Sequence, residues 1–131
     1  MTEDLKKVIE TSTFEIVEGD FIYAKVKELP SAQNMFMVSK DKDEITVVAK
    51  QEEIESLEII ERNKDTYSLI ALNISLPFYA VGFLAAVTSA IASADMNILV
   101  VSTYSKDYIL VRKEYLDKAK DILLSLGLKS L

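Results

Sequence analysis

The chain has 131 residues, 50% of them hydrophobic, a formal net charge of -6, and neither cysteine nor histidine. Without those two residue types there is no disulfide framework or thiolate site, and the commonest general base and metal ligand are missing, which rules out His-assisted nucleophiles and zinc chemistry. An acidic chain with no stripe of Lys and Arg repels phosphate backbones, so nucleic acid is not an expected partner, and the apolar content suffices for one compact domain or two very small ones.

The first residues, among them Glu3, Asp4, Lys6 and Lys7, are charged and lead into no signal-peptide-like apolar core, so a cytoplasmic protein is expected. Residues 3–10 read as a short helix, which the Thr11, Ser12, Thr13 cluster breaks before a short strand at 14–17. In residues 21–27, Ile22, Ala24 and Val26 alternate with Tyr23, Lys25 and Lys27, the period of two of a strand with one buried face. Leu29, Pro30 and Ser31 end it. Residues 35–38 and 45–49 form a hairpin across the charged turn at 40–44, and 52–56 forms one helical turn.

Residues 57–61 and 67–74 are two further strands joined by Asn63, Lys64 and Asp65. Leu69, Ile70, Ala71 and Leu72 break the alternation of the second, which suits a central strand covered on both faces or one lying at a subunit contact. No side chain from residue 66 to residue 94 is charged, a run long enough for a bilayer span. Asn73, Ser75 and Pro77 interrupt it, and the run divides into that strand and a helix at 81–94, so no membrane span is expected. In the helix Leu84, Val87 and Ile91 recur at helical spacing, while Ala85, Ala86 and Ala90 allow close packing on a sheet. Strands at 98–101 and 108–111 flank the polar turn Ser102, Thr103, Tyr104, Ser105, Lys106, Asp107. A last helix, 114–126, is stopped by Gly127, and 128–131 is a short final strand.

The string Ser102-Thr103-Tyr104 followed by Asp107-Tyr108-Ile109-Leu110-Val111 resembles the ACT-domain proteins, in the small tandem group related to the regulatory lobes of aspartate kinase and to a cytosolic arginine sensor. Phe78, Gly82, the helix opening Leu84-Ala85-Ala86-Val87 and Asn97-Ile98 carry the same resemblance. It implies an α+β fold: a ferredoxin-like ACT βαββαβ unit at 65–131, with an antiparallel sheet and helices on one face. A degenerate ACT-like half at 1–64 precedes it. Neighbouring elements of such a fold are expected side by side, which puts the strand at 98–102 next to the one at 67–74.

The resemblance further implies a non-catalytic regulatory module that takes a small ligand, often an amino acid, at an interface between ACT copies. The ligand would lie where a glycine and free N–H groups open the helix. Carried onto this chain, the ligand-binding positions are Val81, Gly82, Phe83, Ser102, Thr103 and Asp107, with Asp107 taking a ligand ammonium and the hydroxyls a carboxylate. The acidic residue and the Thr that family members carry in this loop fall on Pro77 and Val81, so the alternative is an oligomerisation or interaction module whose pocket is lost. Gly82 either approaches the ligand or serves a tight turn, and Asp107 and Ser105 suit a plain hairpin turn equally well. No metal site and no cofactor are expected. The partners expected are a small molecule and a second copy of the chain in a homodimer, the latter motivated by the apolar run at 67–76.

Overall fold

The computed structural model describes residues 1–76 and 80–131. In chain order it holds helix α1 (Glu3–Glu10), strand β1 (Thr13–Val26), a 3-10 turn (Ala32–Asn34), β2 (Met37–Lys40), β3 (Ile45–Lys50) and α2 (Gln51–Ile54). Then follow β4 (Ile59–Arg62), β5 (Tyr67–Asn73), α3 (Phe83–Ala92), β6 (Leu99–Ser102), β7 (Asp107–Arg112), a 3-10 turn (Lys113–Tyr115), α4 (Leu116–Leu126) and β8 (Lys129–Ser130). This is the α+β class expected. The elements gather into two compact units, a larger one of Met1–Glu18 with Ser68–Leu131 and a smaller one of Gly19–Tyr67.

A linear division at residue 64 is therefore not the division made by packing. α1 and the start of β1 join the C-terminal elements, because Val8, Ile9 and Phe14 enter one apolar cluster with Ile70, Leu72, Phe83, Val87, Ile109 and Leu123. The reason lies in α1 itself. Thr2 caps it by accepting a hydrogen bond from the Leu5 N–H at 3.1 Å, and Val8 and Ile9 are buried on one side while the charged residues stay wet. A helix with such a stripe must find an apolar sheet face to cover.

In the smaller unit β3 pairs antiparallel with β2 and with the later part of β1, and β4 pairs with β1 on its other side. The order β2-β3-β1-β4 is that of a βαββαβ plan whose two helices have shrunk to Ala32–Asn34 and α2. Ile22, Ala24, Val26, Val47, Ala49 and Ile54 form its core, as the alternation in residues 21–27 requires. Its hairpin turn is closed by the Asp41 carboxylate, whose Oδ1 accepts from the N–H groups of Asp43 at 2.8 Å and Glu44 at 3.0 Å.

In the larger unit β5 is buried at every residue from Tyr67 to Leu72, a central strand with no wet face. β7 lies beside β5, and β6 lies beyond β7. The expected pairing of residues 98–102 with β5 is thus corrected: among the described residues β6 pairs with β7 and not with β5, in the register Leu99↔Leu110 to Ser102↔Asp107. A strand reached through a helical crossover returns parallel to its predecessor, and the antiparallel hairpin partner fits between the two. β8 runs parallel to the start of β1, with Thr13 opposite Lys129 and Phe14 opposite Ser130. α1, α3 and α4 cover one face through Ile9, Phe83, Val87, Ile91, Ala119 and Leu123. Among the described residues no helix is long and apolar enough to cross a membrane, and the charge-free run resolves into β5 and α3.

Leu72→Ala removes a fully buried side chain from this core and should lower unfolding free energy by about 2–5 kcal/mol in a urea titration. Leu131→Ala, at a side chain 74% exposed, should change it by less than about 0.5 kcal/mol.

Candidate functional site

Gly82 stands immediately before α3 as its N-cap. Its φ of 88° and ψ of -3° lie in the left-handed region, and a Cβ there would meet Leu5 Cδ2 of α1 at 3.2 Å. Glycine serves as the N-cap but offers no side chain to cap with. The Phe83 N–H is already donated to the Ala80 carbonyl at 3.1 Å, so this one of the expected donors is occupied. Among the described residues the next two N–H groups, of Leu84 and Ala85, have no acceptor, and they stand at the positive end of the helix.

The β6–β7 hairpin supplies the polar counterpart. Ser102 and Asp107 face each other in register, and the Ser102 hydroxyl donates to Asp107 Oδ1 at 2.6 Å. Thr103 closes the turn twice, its N–H donating to the Lys106 carbonyl at 2.8 Å and its hydroxyl at 3.1 Å. The hairpin is therefore a well-made turn, and the Thr103 hydroxyl proton is spent within it. Tyr104 at its tip is 84% exposed.

Between this hairpin and the start of α3 lies a cleft of about 290 Å³, lined by Ile74, Ala80, Phe83, Leu84 and residues 102–107. It brings together Phe83, Ser102, Thr103 and Asp107 from the residues singled out in the sequence. Val81 is not among them: it is 90% exposed and lines a second, larger cleft on the α1 side of the same loop. Gly82 lines neither and shapes the backbone that separates them. Pro77 and Phe78 lie outside the described residues. Lys106 was missed by sequence reasoning, since a lysine in a polar turn looks like solvated surface; here it lines the cleft beside Asp107. One cation, one carboxylate and a helix start with open N–H groups can together bind a zwitterion. Among the described residues no group of His, Cys, Asp or Glu side chains could hold a metal ion.

Residues 63–125, from just before β5 through most of α4, match the ACT domain family. No curated protein matches it in sequence. Among solved structures it is similar to a Vibrio cholerae protein of unknown function described as a possible transport protein, with a TM-score of 0.81 and 23% identity over 95% of this chain and 97% of that one. A protein from Agrobacterium tumefaciens gives a TM-score of 0.74 and 24% identity over 92% of each chain. The ligand-free regulatory subunit of aspartate kinase from Thermus thermophilus gives 0.57 and 9% over 86% of this chain and 95% of that one. At these identities the likeness is one of fold.

Gly82→Ala puts a side chain into the left-handed region and against Leu5, and should cost about 1–2 kcal/mol in denaturant unfolding. Gly82→Asn should cost less, since Asn tolerates that backbone better. Equal losses for the two would mean that contact with Leu5, rather than backbone conformation, selects glycine.

Proposed function

We propose that this protein is a non-catalytic regulatory module whose larger unit binds an amino acid in the cleft between the start of α3 and the β6–β7 hairpin. The observation that carries the reading is that Asp107, Lys106 and the uncapped start of α3 border one cleft of about 290 Å³. That space suits a single small zwitterion: the ammonium at Asp107, the carboxylate at Lys106 or the Leu84 and Ala85 N–H groups, and the side chain against Ile74 and Phe83. The family of residues 63–125 supports a regulatory role. The strand order of the smaller unit supports reading it as a degenerate ACT copy, with limits at 19–67.

β6 ends its sheet, and its Leu99, Val100 and Val101 give that edge an apolar character that favours pairing with a second copy of the chain. A homodimer joined there would place another ACT unit near the mouth of the cleft. Light scattering should give the dimer mass at micromolar concentration; a monomer mass would overturn this part of the reading.

A second reading, an assembly module with no ligand, is favoured by the closure of Ser102 on Asp107 and of Thr103 on Lys106, which leaves the hairpin satisfied by itself. A thermal-shift panel of amino acids separates the two, because a ligand at about a hundred times its dissociation constant stabilises by about 2.7 kcal/mol. For an amino acid that registers, Asp107→Ala should weaken binding by about 1.5 kcal/mol, the lower end of the range for hydrogen bonds to charged groups since Asp107 is half-exposed. Its circular dichroism should be unchanged. Unaltered affinity in that variant would make Asp107 a turn residue only, and a null panel with a stable oligomer would select the assembly module.

A further inference from the structure

The second cleft, of about 630 Å³, lies between α1 and the segment that follows β5, and it falls within the range typical of small-molecule sites. Leu5 and Val8 line it from the helix, and Leu76 and Val81 from the loop. Leu76 and Val81 are 54% and 90% exposed, so an apolar occupant would cover surface that the fold leaves wet. The hydroxyls beside them are engaged with the protein. Thr11 donates to the Lys7 carbonyl at 2.9 Å and meets Ser75 Oγ at 2.8 Å, while Ser12 donates to the Val8 carbonyl at 2.6 Å and accepts from the Ser75 N–H at 3.0 Å.

Thr2, whose hydroxyl accepts from the Leu5 N–H, also lines the cleft, and the charged groups there are Asp4 and Lys7, which are exposed and form no ion pair among the described residues. They stand three positions apart on the helix, which separates their Cβ atoms by about 5–6 Å. A ligand with a single charge would attract one and repel the other. A zwitterion satisfies both when its charges are spaced to match. A free amino acid would leave most of a cleft of about 630 Å³ unfilled, whereas a dipeptide carries the same two charges, about 6 Å apart at roughly 3.3–3.6 Å per residue, and two side chains for the apolar lining.

We propose that this cleft is a second ligand site, for a short apolar peptide with free termini and of about dipeptide size. Its ammonium would face Asp4, its carboxylate Lys7, and its side chains Leu5, Val8, Leu76 and Val81. The site does not depend on an amino acid binding at the hairpin, and different residues report on each. The test is a residue-resolved NMR titration of the full chain with leucyl-leucine. Saturable shifts are expected at the amides of Leu5, Val8, Leu76 and Val81, with those of Thr103 and Lys106 unmoved. Acetyl-leucyl-leucine amide, which has the same apolar body and no charge, should bind about tenfold more weakly, the combined size of two exposed ion pairs within their usual range. The double variant Asp4→Asn, Lys7→Gln should lose the same factor for the dipeptide and nothing for the blocked peptide, a comparison that cancels any effect on helix stability. Shifts confined to the hairpin, no saturation at millimolar peptide, or equal affinity for the free and blocked peptides would each overturn the proposal.

Discussion

Burial of β5 along nearly its whole length constrains everything else in the larger unit. A strand that turns Ile70 and Leu72 to one side and Leu69 and Ala71 to the other needs cover on both. On the first side α1, α3 and α4 provide it, and their apolar stripes are matched to that demand. Along its edges β5 needs hydrogen-bonding neighbours, and β1 and β7 supply them. Gly82, in the left-handed region, leads into α3 and leaves its start without a capping side chain.

The polar chemistry of the unit follows from the way its helices are finished. The C-terminal end of α1 is met by Lys129, whose ammonium donates to the Glu10 carbonyl at 2.8 Å, and that of α3 by Lys118, which donates to the Ala94 carbonyl at 3.1 Å. α1 is closed at its start by Thr2. The starts of α3 and α4 have no side-chain cap, and that of α3 lies beside a carboxylate and an ammonium on the neighbouring hairpin. N–H donors with no acceptor among the described residues are what distinguish this corner from an ordinary turn between strand and helix.

Much of this was legible in the sequence because it is encoded locally. The limits of α1 follow from Thr2 and the Thr-Ser-Thr break, and Asn63, whose Oδ1 accepts from the Asp65 N–H at 2.8 Å, makes the turn its residue type implies. β1 was less legible. The strands expected at 14–17 and 21–27 are parts of one strand of 14 residues, which passes through Gly19 at a φ of 122°, where a Gly-Asp pair reads as an interruption. Non-local relations were not legible at all. Nothing near residues 3–10 announces that they pack with residues beyond 68, and nothing in the hairpin says that β7 rather than β6 will lie against β5. The same limit hid Lys106, Asp4 and Lys7, whose significance arises only when distant segments form the walls of the two clefts.

The parallel pairing of β8 with the start of β1 bears on the order in which the protein can be made. The smaller unit is contiguous, so all of it has left the ribosome once Tyr67 has emerged. The larger unit is written in two pieces, and the Phe14 carbonyl waits for the Leu131 N–H, which it accepts at 2.9 Å, until synthesis has passed Ser130. Until the residues from Ser68 onward have emerged, Val8, Ile9 and Phe14 lack their core partners, and α1 is a nascent helix of eight residues, short of the length at which helices persist by themselves. The segment that is translated before the smaller unit thus becomes one of the last to be secured.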